Sequence, residues 1–288
     1  MVVLVTGANG QLGQAMQFVA KNHFKVQFVF FTSTELDITN LNQIKAVFKQ
    51  HQPNYCINAA AYTAVDKAES EPEKAQLINK IGAENLATIC KELDTILLHI
   101  STDFVFDGNL TAFSVINGYT EKDFTNPTCV YGQSKLDGEI AIQKVWNKHF
   151  IIRTSWVYSQ FGNNFMKTML RLSSEKDSLS VVYDQIGTPT NAVDLAEVLV
   201  KIIYETDRSP KESNFGIYNF SNEGDCSWFD FAKKIFEINN VSIDLQPIPT
   251  TSFPTPAKRP AYSVLDKTKI KSVFGVKINS WEESLISV

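Results

Sequence analysis

Cysteine is scarce in this chain: four in 288 residues, Cys56, Cys90, Cys129 and Cys226. They follow no metal-ligand spacing and are too few for a disulfide scaffold of this size, so buried thiols in a reducing compartment are expected, with no metal site. Also missing is any apolar run approaching the ~20 residues that span a bilayer. The opening "MVVLVTGANG" lacks the basic flank and long apolar stretch of a signal peptide. A cytoplasmic protein without a membrane partner is the expectation. Nor does either sign of charge dominate: 27 basic against 31 acidic residues leave a net charge of −4. That balance offers no broad attraction for nucleic acid, so an anionic ligand must be met locally.

What is present is a rhythm. Apolar runs "VVLVT", "VQFVFF", "YCINAA", "TILLHIS" and "FIIRTSW" alternate with helix-period segments at 11–22, 41–51, 73–93 and 131–146. Strands apolar on both faces and separated by helices predict a parallel sheet covered on both sides. The fold class is therefore α/β, a Rossmann-type doubly wound sheet. The stretch 191–205 reads as an amphipathic helix and "GIYNFSN" as a further strand. Most of the proline falls in the last third, and "QPIPTTSFPTPAKRP" (246–260) is too proline-dense for regular structure, so a surface loop near a ligand is expected there. The division expected is 1–156 with 190–222 as a dinucleotide-binding domain, and 157–189 with 223–288 as a smaller C-terminal substrate-binding domain.

Three glycines mark the first strand-to-helix turn. In "VVLVTGANGQLGQAM", Gly7 allows a tight turn, Gly10 lets backbone approach a pyrophosphate, and Gly13 lets the helix pack closely on the sheet. The helix N-terminus then presents free N–H groups to the phosphates. The G-x-x-G-x-x-G spacing resembles the extended branch of the short-chain dehydrogenase/reductase superfamily. At the end of the second strand stand Phe30, Phe31, Thr32 and Ser33, with no carboxylate to repel a 2′-phosphate. NADPH is thus permitted, with NADH as the alternative.

The stretch "CVYGQSKLDGE" places Tyr131 and Lys135 four positions apart, on one face of a helix. A free tyrosine has a pKa near ~10, and a neighbouring ammonium would pull it down toward the range where acid-base catalysis is efficient. In "LLHISTDFVFDG", Ser101 and Thr102 lie just past a buried strand, at the end of an open α/β sheet where ligands bind. Thr102 could donate to a carbonyl oxygen as negative charge develops. His99, inside the same strand, reads as a satisfied core histidine.

Taken in order, "TGANGQLG", "ELDITN", "NAAAYTAVDKAE", "ISTDFVFDG", "VYGQSK", "RTSWVY", "GNNF", "DQIGTPT" and "RPAYSVLD" resemble the dTDP-4-dehydrorhamnose reductase family through nearly the whole chain. The resemblance implies reduction of the 4-keto group of dTDP-4-dehydro-L-rhamnose by a nicotinamide hydride. It implies that Gly10, Gln11 and Leu12 meet the pyrophosphate, Asp37 and Ile38 the adenine, and Ala59, Ala60, Ala61, Tyr62 and Thr63 the cofactor beside the ribose. Tyr131 and Lys135 would lie on the nicotinamide side, with Thr102, Asp103 and Trp156 on the sugar. Trp156 suits packing on a deoxysugar face, or else is a core aromatic. Arg259 could offer a bidentate fork to the substrate pyrophosphate, or else is a surface arginine.

Members that carry an acidic residue soon after the third glycine use it for a metal between subunits; here the stretch is "GQAMQ", so that metal is unsupported and a homodimer is left as an open assembly. Two rival readings share parts of this pattern. A nucleotide-sugar dehydratase or epimerase shares the glycine loop and the Tyr-Lys pair, but elimination takes a second carboxylate after Thr102, and Phe104 follows Asp103. A non-enzymatic NADP-binding regulatory subunit would have no need of the Thr102, Tyr131 and Lys135 set.

Overall fold

The apolar runs become the strands of one parallel sheet: β1 (Val2–Thr6), β2 (Gln27–Phe31), β3 (Tyr55–Asn58), β4 (Ile96–Thr102), β5 (His149–Thr154) and β6 (Gly216–Asn219). They are seen in a computed structural model that describes residues 1–109 and 118–288. The order across the sheet is β6-β5-β4-β3-β1-β2. From β1 the chain runs outward to β2, then returns across β1 to β3. Ligands in open α/β sheets bind where the strand order reverses in this way, beyond the carboxyl ends. The register brings Thr6 of β1 level with Asn58 of β3, and Asn58 level with His99 of β4.

Helices cover both faces because the strands are buried on both. One apolar layer joins Val3, Val5, Phe150 and Ile152 to helices α1 (Gln11–Ala20) and α5 (Ala192–Arg208). The opposite layer joins Leu4, Cys56, Leu97 and Ile151 to α2 (Leu41–His51) and α3 (Ala83–Glu92). Helix α4 (Val130–Val145) packs beside α3. The predicted helix 73–93 is one helical stretch interrupted by a π turn over Leu77–Gly82, a distortion frequent at functional sites.

A third cluster, built on Tyr158, Met169, Leu179, Phe231, Ile235 and Trp281, forms the smaller body. The chain then comes back: Ile270, Phe274 and Val276 lie in the same cluster as Val3. That return is not visible in the sequence, because a seven-residue helix carrying two buried residues has no clear period.

The proline-rich stretch 246–260 departs from expectation only at its start, and the rest has no strand or α-helix. Asp244–Ile248 is a strand, parallel to Ser178–Val182, with Pro247 opposite Val181. The sheet has two strands, so each is an edge, where a proline lacking its N–H is tolerated. No helix among the described residues is long and apolar enough to cross a membrane.

Candidate active site

The glycine turn is a cradle that side chains would fill. Gly7 has a φ of +70°, and a Cβ there would sit 2.7 Å from the Ala60 nitrogen and 2.8 Å from the Ala59 carbonyl. A Cβ on Gly13 would meet the Gly7 oxygen at 2.2 Å. The turn after β1 is thereby pressed against the exit of β3, at the crossing point of the sheet. Helix α1 starts at Gly10 with no side-chain cap and no acidic residue in its first turn. Its first N–H groups and positive end are open to an anion. These features suit a dinucleotide pyrophosphate.

Not every residue assigned from the resemblance offers a side chain. Leu12 is in the core, and Ile38 is buried against Gly82, where a Cβ would meet its Cδ1 at 2.7 Å. Each has only backbone for a ligand. The Gln11 amide ties the glycine turn to the smaller body, donating to the Val157 carbonyl at 2.9 Å and accepting from Asn164 at 2.8 Å. Asp37 is exposed but accepts from the Thr39 backbone and hydroxyl. Tyr62 is buried, its hydroxyl donating to Glu71 at 2.9 Å, whereas Thr63 is exposed.

Asn79 was not picked out in the sequence. It sits in the π turn, accepts from the Tyr62 N–H at 2.8 Å, and donates to the Ser134 hydroxyl on α4 at 2.9 Å. It thus ties the Ala59–Thr63 segment to the helix carrying Tyr131. Only the π turn sets its amide there.

A carboxylate does stand at the end of β2, contrary to the sequence reading. Glu35 folds back to accept from the Thr32 N–H and hydroxyl, both at 2.8 Å, and these bonds hold it below the usual carboxylate range. Strand counting misses it because it lies in the turn beyond the strand. If Glu35 borders the ribose, Glu35→Gln should lower KM for NADPH several-fold and leave KM for NADH little changed. An unmoved ratio of the two KM values would remove Glu35 from cofactor choice.

At the carboxyl ends of β4 and β5, Ser101 and Thr102 are the last residues of β4 rather than lying past it. Ser101 donates to Glu139 of α4, and Glu139 in turn holds Arg153 of β5, with Nη2 to Oε2 at 2.7 Å. Thr102 donates to the Asp103 Oδ1 at 3.1 Å and accepts from the Phe104 N–H. Asp103 is 2% exposed, its other oxygen has no hydrogen-bond partner among the described residues, and burial raises its carboxyl to about 6 although hydrogen bonding from Ser263 and Thr102 opposes the rise. Beside Thr102 this leaves a buried acceptor whose hydrogen-bonding capacity is not filled.

The Tyr131 phenol is pushed up, not down. Burial is the main cause, Asp103 and Cys129 add to it, and the Thr102 hydroxyl opposes it. The expected ammonium effect fails because Lys135, 2% exposed, directs Nζ at the Ile100 carbonyl at 2.6 Å and at His99 Nε2 at 3.3 Å. Burial lowers Lys135 to about 8 even though Glu139 opposes it.

Trp156 is half-buried with a φ of +46°, and its ring stacks on Trp228 at 3.6 Å. A Cβ at Gly187 would strike it at 2.6 Å. It packs against the small-body cluster, as its reading as a core aromatic expects. Arg259 does not present a free fork: Nη2 and Nη1 bind the two oxygens of Asp66 at 2.7 and 3.0 Å. The pair joins the segment after β3 to the proline-rich loop, a contact between residues 193 apart that no local pattern announces.

The sequence matches the family described as RmlD substrate binding domain over residues 1–288. The chain belongs to that family. A dTDP-4-dehydrorhamnose reductase of Aggregatibacter actinomycetemcomitans is 41% identical over 99% of this chain and 97% of its own length. A crystal structure of a dTDP-4-dehydrorhamnose reductase from Clostridium acetobutylicum has 41% identity and a TM-score of 0.92, covering 100% of this chain and 98% of that one. Another from Bacillus anthracis, in complex with NADP, has 42% identity and a TM-score of 0.91, covering 99% and 96%. These RmlD-family relatives span the glycine turn, the Thr102–Tyr131–Lys135 group and the small body alike.

Proposed function

We propose that this chain reduces the 4-keto group of dTDP-4-dehydro-L-rhamnose with NADPH, or NADH, to give dTDP-L-rhamnose. The observation that carries the reading is the convergence of Thr102, Asp103 and Tyr131 at the carboxyl ends of the sheet, beside an uncapped glycine cradle, in a chain about 40% identical to named reductases over its full length. The two-part division read from the sequence suits this, with the sheet holding the nucleotide and the small body the dTDP-sugar. The segment around Ile270 to Val276 belongs with the sheet.

NADPH, when bound, supplies the hydride. The first-turn N–H groups of α1 would hold its pyrophosphate, with Gly7, Gly10 and Gly13 allowing the close approach. Thr102 turns its hydroxyl from Asp103 to the ketone oxygen and stabilises the charge that develops there. Tyr131 then gives up its phenolic proton to that oxygen. A phenol raised by burial suits this direction, because it stays protonated at neutral pH and the sugar alkoxide is far more basic. The unpartnered oxygen of Asp103 would accept from a sugar hydroxyl and fix the ring. The same reading takes no nucleic-acid partner, on a net charge of −4, and allows a homodimer.

The test is oxidation of NADPH and of NADH with enzymatically generated dTDP-4-dehydro-L-rhamnose. One cofactor oxidised per sugar reduced is the expected result. Cofactor binding without oxidation would favour the regulatory-subunit reading, and turnover without net oxidation an epimerase.

The Asp103 burial has its own consequence. Its carboxyl is raised above the unfolded value near ~3.9, so the native state binds the extra proton between the two values and stability falls as pH rises through that window. Above pH ~6 the ionised group costs up to about 3 kcal/mol. Asp103→Asn should therefore raise Tm at pH 8 by several degrees, change it little at pH 4, and raise KM for the sugar nucleotide. Equal Tm changes at both pH values would show that Asp103 carries no such burden.

A further inference from the structure

A chain of hydrogen bonds runs behind the site, and its direction can be read from the backbone N–H at one end. The Ala60 backbone N–H points at Asn58 Oδ1 at 3.2 Å and is shared with Thr6 Oγ1 at 3.3 Å, and the Thr6 hydroxyl in turn donates to the same Asn58 oxygen at 2.7 Å. A backbone N–H is always a donor, so this end of the Asn58 amide is its oxygen. The other end, Nδ2, therefore donates to His99 Nδ1, 2.9 Å away. Nδ1 is an acceptor. His99 is 1% exposed and kept neutral chiefly by burial. A neutral imidazole has one N–H, so the proton sits on Nε2, facing Lys135 Nζ at 3.3 Å.

An ammonium has no lone pair to accept it. Lys135 can receive this bond only as an amine, while its own N–H donates to the Ile100 carbonyl at 2.6 Å. We propose that His99 is a positioning residue for Lys135: its Nε2–H, oriented by the Asn58 amide, donates to the lysine nitrogen and favours the amine over the ammonium. Lys135 is then not a fixed cation beside the phenol. It is a group that takes up or releases a proton close to neutral pH, as resupply of the Tyr131 proton requires.

The other charged groups do not cancel this. Glu139, one turn further along α4, favours the ammonium, but its carboxylate is occupied by Arg153 of β5 and Ser101 of β4. Tyr131, one turn earlier, is a neutral phenol, and Asp103 acts on Tyr131. His149 of β5 bears on His99 and makes an imidazolium there less favourable still.

The proposal rests on Lys135 belonging to the reductase site, yet its test needs no turnover. In the unliganded protein labelled with ¹⁵N, long-range ¹H–¹⁵N NMR reads the tautomer of each of the four histidines, with His99 identified by the signal lost in His99→Gln. The expected result is an Nε2–H tautomer that does not titrate between about pH 5.5 and 9. The Lys135 ¹³Cε signal should titrate near 8. Asn58→Asp presents an acceptor to Nδ1, should convert His99 to the Nδ1–H tautomer, and should raise the Lys135 midpoint by about one pH unit or more. An Nδ1–H tautomer in the unaltered protein, or a lysine midpoint near the ordinary ~10.4, would overturn the proposal. So would an unmoved midpoint in folded Asn58→Asp. Should that variant not fold, the unaltered protein still decides. A negative outcome would leave the activity assay untouched, so the two failures are distinguishable.

Discussion

Tyr131→Phe is expected to lower kcat by about 10²–10⁴-fold, the usual worth of a positioned acid, with NADPH affinity nearly unchanged. The ring should keep its place, since it packs edge-on against Phe104 at 5.6 Å between centroids and is buried with Tyr62, Cys129 and Ala257. What is lost is one O–H, within reach of the Thr102 hydroxyl. Because burial raises the phenol, its own deprotonation should add no loss of rate below pH ~10. Single-turnover kinetics with a fluorescence titration of NADPH separate the two quantities. Near-normal turnover would take Tyr131 out of the proton path, and a large loss of cofactor affinity would make it a binding residue instead.

Glu139→Gln is expected to cost about 3–5 kcal/mol of stability, the range for breaking a buried pair from one side. Glu139 is fully buried and meets Arg153 through Nε at 3.0 Å and Nη2 at 2.7 Å. The glutamine has the same shape, so packing is kept while the guanidinium loses its counter-charge. Arg153 has little to fall back on: it is 2% exposed, its Nη1 has no hydrogen-bond partner among the described residues, and the Phe106 ring lies 5.2 Å from the guanidinium carbon. Urea unfolding measures the difference. A loss below about 1 kcal/mol would mean that the network relaxes and that Glu139 does not anchor the floor beneath Ser101 and Lys135.

The two substitutions probe parts of the molecule that were not equally visible in the sequence. The strands and helices of the first half follow from apolar runs and period alone, because burial on both faces leaves a pattern that any reader of the chain can find. Tyr131 and Lys135 stand out because they share one helix face. Glu139 is on the same face one turn later, yet it reads as an ordinary helix carboxylate until Arg153 and Ser101 arrive from β5 and β4. His99 was seen as a satisfied core residue, and both of its ring nitrogens do have partners. That one of those partners is Lys135 is a fact about strand register.

The glycine turn, the parallel sheet and the pairing of Tyr131 with Lys135 on one helix face were determined by local sequence, since each depends on backbone freedom, burial pattern or a spacing of a few residues. Tertiary structure alone decided the state of the groups involved. It committed Arg259 to Asp66, set Glu35 at the end of β2, raised the phenol of Tyr131 and turned Lys135 toward His99. The reason is physical: protonation and hydrogen-bond direction depend on desolvation and on neighbours brought from distant strands, and neither quantity exists until the chain has closed around them.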